Sequence, residues 1–189
     1  SQNIEAKKLG KALFFDTRLS GSGTVSCASC HNFSTGLTDN KTLAQGLGKG
    51  SRNTPTLINV FMQRWFYWDG RADSLWLQAI GPIESPLEMG GDWAAIYQLF
   101  KNDKKLFNSY NQLFTLNPIN KNKAFTQIDT HRFKINIAKA LAAFQIDITQ
   151  FNSPFDAFAQ SIRHQKKTMI LAVLGCTSRW EDVKYLVER

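Results

Sequence analysis

Residues 27–31 read Cys-Ala-Ser-Cys-His, and few five-residue segments constrain a fold as tightly. Two thiols at this spacing can each form a thioether with one of the two vinyl groups of a haem, the pattern of c-type haem attachment. The imidazole that follows directly then reaches the iron from the proximal side. A chain that binds haem in this way has to fold around a flat, rigid, mostly apolar group. The same residues could instead make half of a zinc site. Zinc would need two further close ligands, and the remaining Cys176, His131 and His164 all lie far downstream. The spacing favours haem.

The chain has 189 residues, 43% of them apolar and 14 of them Phe. That suits one domain with a sizeable core, or a domain with an appendage. A net charge of +8 would fit nucleic acid, an acidic protein or an anionic membrane surface. The Lys and Arg are spread along the chain, however, and only Arg163-His164-Gln165-Lys166-Lys167 resembles a cluster. A generally basic surface, with no nucleic-acid partner, is the simpler reading. Sparse cysteine use excludes a disulfide scaffold. Met169 to Leu174, the longest apolar run near the C-terminus, is too short to span a bilayer, so no membrane span is expected. The chain opens on polar residues and shows no signal peptide. Covalent haem attachment normally takes place outside the cytoplasmic membrane, so the motif implies an exported, periplasmic protein.

Apolar spacing predicts a helix over residues 4–15, with Leu9, Ala12 and Leu13 on its inner face. A second covers 74–80 and ends at Gly81-Pro82. A third runs from an Asp92 cap through Lys101, with Ile96, Leu99 and Phe100 inward, and a fourth covers 105–116. The longest spans 131–148 behind a Thr130 cap, which makes His131 a solvated residue at a helix start rather than a ligand. Residues 32–55 are rich in Gly, Ser, Thr and Asn and read as a long functional loop. Gly46, Gly48 and Gly50 alternate within it, without a phosphate-binding pattern. Four consecutive aromatics, Trp65-Phe66-Tyr67-Trp68, suit a plain core and a porphyrin edge equally. No strand of any length is evident, so the fold is expected to be mostly α.

Together these motifs resemble the N-terminal haem domain of bacterial di-haem cytochrome c peroxidases, including their methylamine-utilisation relatives. The matching segments are Leu9 to Asp16 with Arg18-Leu19-Ser20, Val25 to His31, Arg52-Asn53-Thr54-Pro55-Thr56-Leu57 and Trp68-Asp69-Gly70-Arg71-Ala72. Gln78-Ala79, Pro86-Leu87-Glu88-Met89, Ala140 to Phe144 and Ser153-Pro154-Phe155-Asp156 continue the likeness. It implies a c-type cytochrome-like helical domain over residues 1–160, with long loops around one covalent haem c and a divergent tail over 161–189.

The activity implied is that of an oxidoreductase, a haem c peroxidase that reduces hydrogen peroxide to water with electrons from a small redox protein, a cytochrome c or a cupredoxin. Cys27 and Cys30 would carry the thioethers and His31 the proximal iron bond. Gln78 and Glu88 match a distal Gln and Glu that line the peroxide pocket. Peroxide must lose a proton from one oxygen and gain one on the other, which suits Glu88, while the Gln78 amide can stabilise charge as the O–O bond breaks. Trp68 matches a Trp placed on an electron path between two haems. Asn53 matches a residue that helps bind calcium, for which an amide oxygen is a suitable hard ligand. Family members also form homodimers.

Two departures from the family stand out. Many members carry a distal His on the long loop, and here no His lies between His31 and His131; the corresponding position is Gln45. A five-coordinate or water-bound resting iron is the expectation. The family also has a second haem domain with its own attachment motif, whereas the tail here holds a lone Cys176. An alternative function follows, a mono-haem electron-transfer module without efficient peroxidase turnover.

Overall fold

The computed structural model describes residues 2–122 and 126–154. Phe155-Asp156, the basic run at 163–167, Met169–Leu174 and Cys176 lie outside the described residues. Residues 1–149 form one compact unit. Among its described residues it holds six α-helices: α1 (Gln2–Phe14), α2 (Cys27–Cys30), α3 (Leu75–Glu84), α4 (Trp93–Asn102), α5 (Lys104–Leu113) and α6 (Gln127–Gln145). Among the described residues there is no sheet, only isolated bridges such as Asn32 with Thr38 and Phe66 with Ala72.

The fold is organised by α6, which packs against α1, α3 and α4. Leu9, Leu13 and Phe14 of α1 and Ile137, Ala138 and Leu141 of α6 are all buried. Ala12 is exposed while its neighbour Phe14 turns inward, so the inner face of α1 is rotated from the expected one. The two helices approach backbone to backbone at Gly10, where a Cβ would overlap the Ala140 carbonyl. On the other flank Phe133 of α6 sits among Trp93, Tyr97, Phe100 and Tyr110, with ring centroids 5.2–6.3 Å apart. The pairs with Trp93, Tyr97 and Phe100 are edge-to-face and that with Tyr110 is tilted; such contacts add to the area they bury.

Local sequence accounts for most helix ends. The carboxylates of Asp92 and Asp103 accept from the first free N–H groups of α4 and α5, the usual work of an N-cap. α5 and α6 each end three residues short of the expected 116 and 148, at Leu113 and Gln145, and two further boundaries differ from expectation. α6 starts one turn earlier, because Thr126 and Asp129 form a reciprocal capping box that satisfies more donors than Thr130 would. His131 is therefore inside the helix, on its exposed side. The other difference is α3, which runs straight through Gly81-Pro82 to Glu84.

Candidate haem site

The attachment motif folds as a single helical turn. The Ser26 N–H donates to Ser29 Oγ at 3.0 Å and the His31 N–H to the Cys27 carbonyl at 2.9 Å, which holds the two thiols on one turn. Burial pushes the Cys27 thiol up to about 12 and raises that of Cys30 as well. Both are thus neutral thiols near pH 7. Among the described residues no group of three or more His, Cys, Asp or Glu is arranged to hold a metal ion.

His31 is prepared differently. Its Nδ1 lies 3.0 Å from the Leu37 carbonyl, and a carbonyl only accepts, so Nδ1 carries the proton and Nε2 keeps its lone pair. Loss of water around the ring lowers its pKa, partly opposed by the Leu37 carbonyl, the Asp39 carboxylate and the Pro55 carbonyl. A neutral imidazole with Nδ1–H tied to a backbone carbonyl is the form in which histidine binds a metal through its other nitrogen.

His31 and both cysteines open onto a cavity of about 430 Å³. The seven residues given a role by the resemblance stand on its wall: Cys27, Cys30 and His31, then Asn53 and Trp68, then Gln78 and Glu88. Their elements come from separate stretches of chain. α2 supplies the motif, the loop after it Asn53, the aromatic segment Trp68, α3 Gln78, and the turn after α3 Glu88. Trp68 lies at the rim, 63% exposed, with its indole N–H donated to the Asn53 carbonyl at 3.0 Å. The Asn53 side-chain amide N–H donates to the Lys41 carbonyl at 2.5 Å.

The alternating glycines find their reason here. The 46–48 backbone lies along the turn that carries Glu88: Leu47 N–H donates to the Glu88 carbonyl at 3.0 Å and Gly48 N–H to that of Leu87 at 2.9 Å. A Cβ at Gly46 would come within 2.6 Å of Glu88 Cα. Glycine is needed for that approach. Gln45 is exposed, and its neighbours Ala44 and Gly46 rather than Gln45 line the cavity.

Apolar side chains, among them Phe14, Leu57, Val60, Phe66 and Leu141, supply much of the remaining wall. Two polar atoms interrupt it. Thr54 Oγ1 and Gln145 Oε1 have no hydrogen-bond partner, although each residue is only 4% exposed. Unpartnered buried polar atoms are costly, and these two face the space a cofactor with polar edge groups would fill. The cavity, its apolar lining, the paired thiols and the neutral imidazole of His31 all fit a haem. Neither Thr54 nor Gln145 was visible as a site residue in the sequence. Gln145 lies one helical turn beyond Leu141, which is the signal that could have pointed to it.

Comparison with known proteins gives the family. Residues 4–164 match the sequence profile of the di-haem cytochrome c peroxidases. The chain belongs to that family. As a di-haem peroxidase family member it is 35% identical over 182 residues to cytochrome c551 peroxidase of Pseudomonas aeruginosa, covering 92% of this chain and 49% of that protein. It is 40% identical over 157 residues to the methylamine utilization protein MauG of Methylorubrum extorquens, covering 82% of this chain and 41% of the relative. Among solved structures it is similar to a MauG-like protein associated with microbial copper homeostasis. The TM-score is 0.68 at 27% identity, over 88% of this chain and 45% of that one. The chain therefore spans about half the length of the relatives it matches. The likeness shows a cytochrome c-like helical fold.

Proposed function

We propose that the chain is the peroxide-reducing haem c domain of a cytochrome c peroxidase. The observation that carries the reading is the convergence of Gln78 and Glu88 on the cavity that also holds Cys27, Cys30 and His31. Cys27 and Cys30 bind the haem covalently and His31 Nε2 takes the iron. When bound, the haem supplies the metal on which peroxide is reduced. Glu88 takes the proton of one peroxide oxygen and returns it to the other, and two electrons and two protons convert the molecule to two waters. The Gln78 amide N–H orients the peroxide and stabilises charge on the departing oxygen.

Electrons arrive from a small redox protein, a cytochrome c or a cupredoxin, and the rim position of Trp68 suits it to pass them inward. Calcium binds near Asn53 through Oδ1. The protein works in the periplasm; no described helix is long and apolar enough to cross a membrane. A homodimer is the assembly proposed from the family likeness. One haem is assigned to the single attachment motif at 27–31.

A pyridine haemochrome spectrum with the intact mass tests the cofactor, and is expected to show one haem c bound through two thioethers. Peroxide consumption with a reduced cytochrome donor tests the activity. Loaded protein that exchanges electrons with the donor but consumes no peroxide would establish the electron-transfer module instead.

A further inference from the structure

α3 contains a defect at a particular place. Proline has no N–H, so the carbonyl four residues before it loses its helical partner, and helices open or kink there. In α3 the proline is Pro82, and the orphaned carbonyl is that of Gln78. The structure repairs it from outside the helix. Tyr67 Oη donates to the Gln78 carbonyl at 2.8 Å. Gly81 makes the approach possible, since a Cβ at 81 would overlap the Tyr67 hydroxyl.

Tyr67 is itself held in place by several contacts. Its backbone is left-handed, with φ of 65°, a region bulky side chains rarely enter. The Phe66 N–H donates to the Ala72 carbonyl at 2.9 Å and closes the loop around it. The Arg71 guanidinium lies 3.5 Å above the ring centre and is anchored to Asp69 at 2.7 Å. A short loop thus aims one phenol at one carbonyl. The phenol proton goes to the Gln78 peptide carbonyl. The geometry points to support of α3.

We propose that Tyr67 is the positioning residue for Gln78. By standing in for the N–H that Pro82 lacks, its hydroxyl fixes the turn of α3 that presents the Gln78 side chain to the cavity. The inference rests on Gln78 being the distal amide of the proposed function.

The test uses the haem-loaded protein in its ferrous carbon monoxide complex, whose C–O stretching frequency reports hydrogen-bond donors beside the bound gas. Gln78→Leu is expected to shift the band. Tyr67→Phe should shift it in the same direction by less, and should add nothing in the Gln78→Leu background. Pro82→Ala, which restores the N–H, should return the Tyr67→Phe band toward wild type. In turnover, Tyr67→Phe should lower kcat for peroxide by up to about a hundredfold with the KM for the donor unchanged, the size a misplacement of about 1 Å can cost. An unchanged band in Tyr67→Phe beside a shifted one in Gln78→Leu overturns the inference and leaves the function standing. So does an additive shift in the double variant, or a failure of Pro82→Ala to rescue. No shift in Gln78→Leu overturns the distal assignment and this inference with it.

Discussion

Leu37 holds its carbonyl 3.0 Å from His31 Nδ1, and does so from a left-handed backbone with φ of 60°. That conformation costs about 1–3 kcal/mol in a residue other than glycine. Burial of the side chain, 4% exposed, offsets it. Leu37→Met keeps volume and is expected to cost under about 1.5 kcal/mol. Leu37→Ile conserves volume too but adds a branched Cβ in the left-handed region, and should cost at least about 2 kcal/mol. Urea unfolding of the haem-loaded protein checks the order; equal losses would show that backbone strain is absent.

Gly10→Ala tests the crossing of α1 and α6. Helix propensity alone predicts a gain of about 1 kcal/mol from replacing glycine inside a helix. The overlap with the Ala140 carbonyl reverses the sign, because backbone at a helix crossing cannot move aside without separating the helices. A loss of about 3 kcal/mol or more is expected in thermal or urea melts, in the range of overpacked cores.

Glu88→Gln keeps shape and removes the base. Peroxide turnover is expected to fall by about 10²–10⁴-fold, the usual contribution of a proton-transfer group, with haem content unchanged by pyridine haemochrome. Turnover near wild type would remove Glu88 from the proton path.

Stability should fall in acid through the pair of aspartates that share Arg18. Burial alone would raise the Asp16 carboxyl, but side-chain and backbone hydrogen bonds from Arg18 outweigh it and hold the pKa below its ordinary value. Asp103 is lowered by the Leu106 backbone N–H and by the Arg18 side chain. Groups depressed in the folded state stabilise it fully above the ordinary aspartate range, and that stabilisation is lost as pH falls through and below the range. Thermal melts from about pH 6 to about pH 2 should show this loss. Arg18→Gln should flatten it; an identical pH profile would show that the network contributes nothing.

Helix α4 was legible from the sequence because its signals are local: an Asp92 cap and apolar residues at helical spacing. α3 was read as ending at Gly81-Pro82, and that failed for a non-local reason. A proline ends a helix when the freed carbonyl has nowhere to go, and here it goes to Tyr67, which lies outside the helix. The glycines at 46 and 48 were seen without a purpose, since the backbone they admit belongs to residues 87–88. Thr54 and Gln145 were missed for the same reason.

The sequence by itself determined the paired thiols, the adjacent imidazole and most helix caps, because each depends on neighbours within a few residues. Only the tertiary structure decided that His31 is a neutral ring with Nδ1 bonded to the Leu37 carbonyl. Only it brought Gln78 and Glu88 to the wall that carries the attachment motif. Those outcomes depend on contacts between distant segments, and local spacing carries no record of which carbonyl will meet which donor once the chain has closed around its cavity.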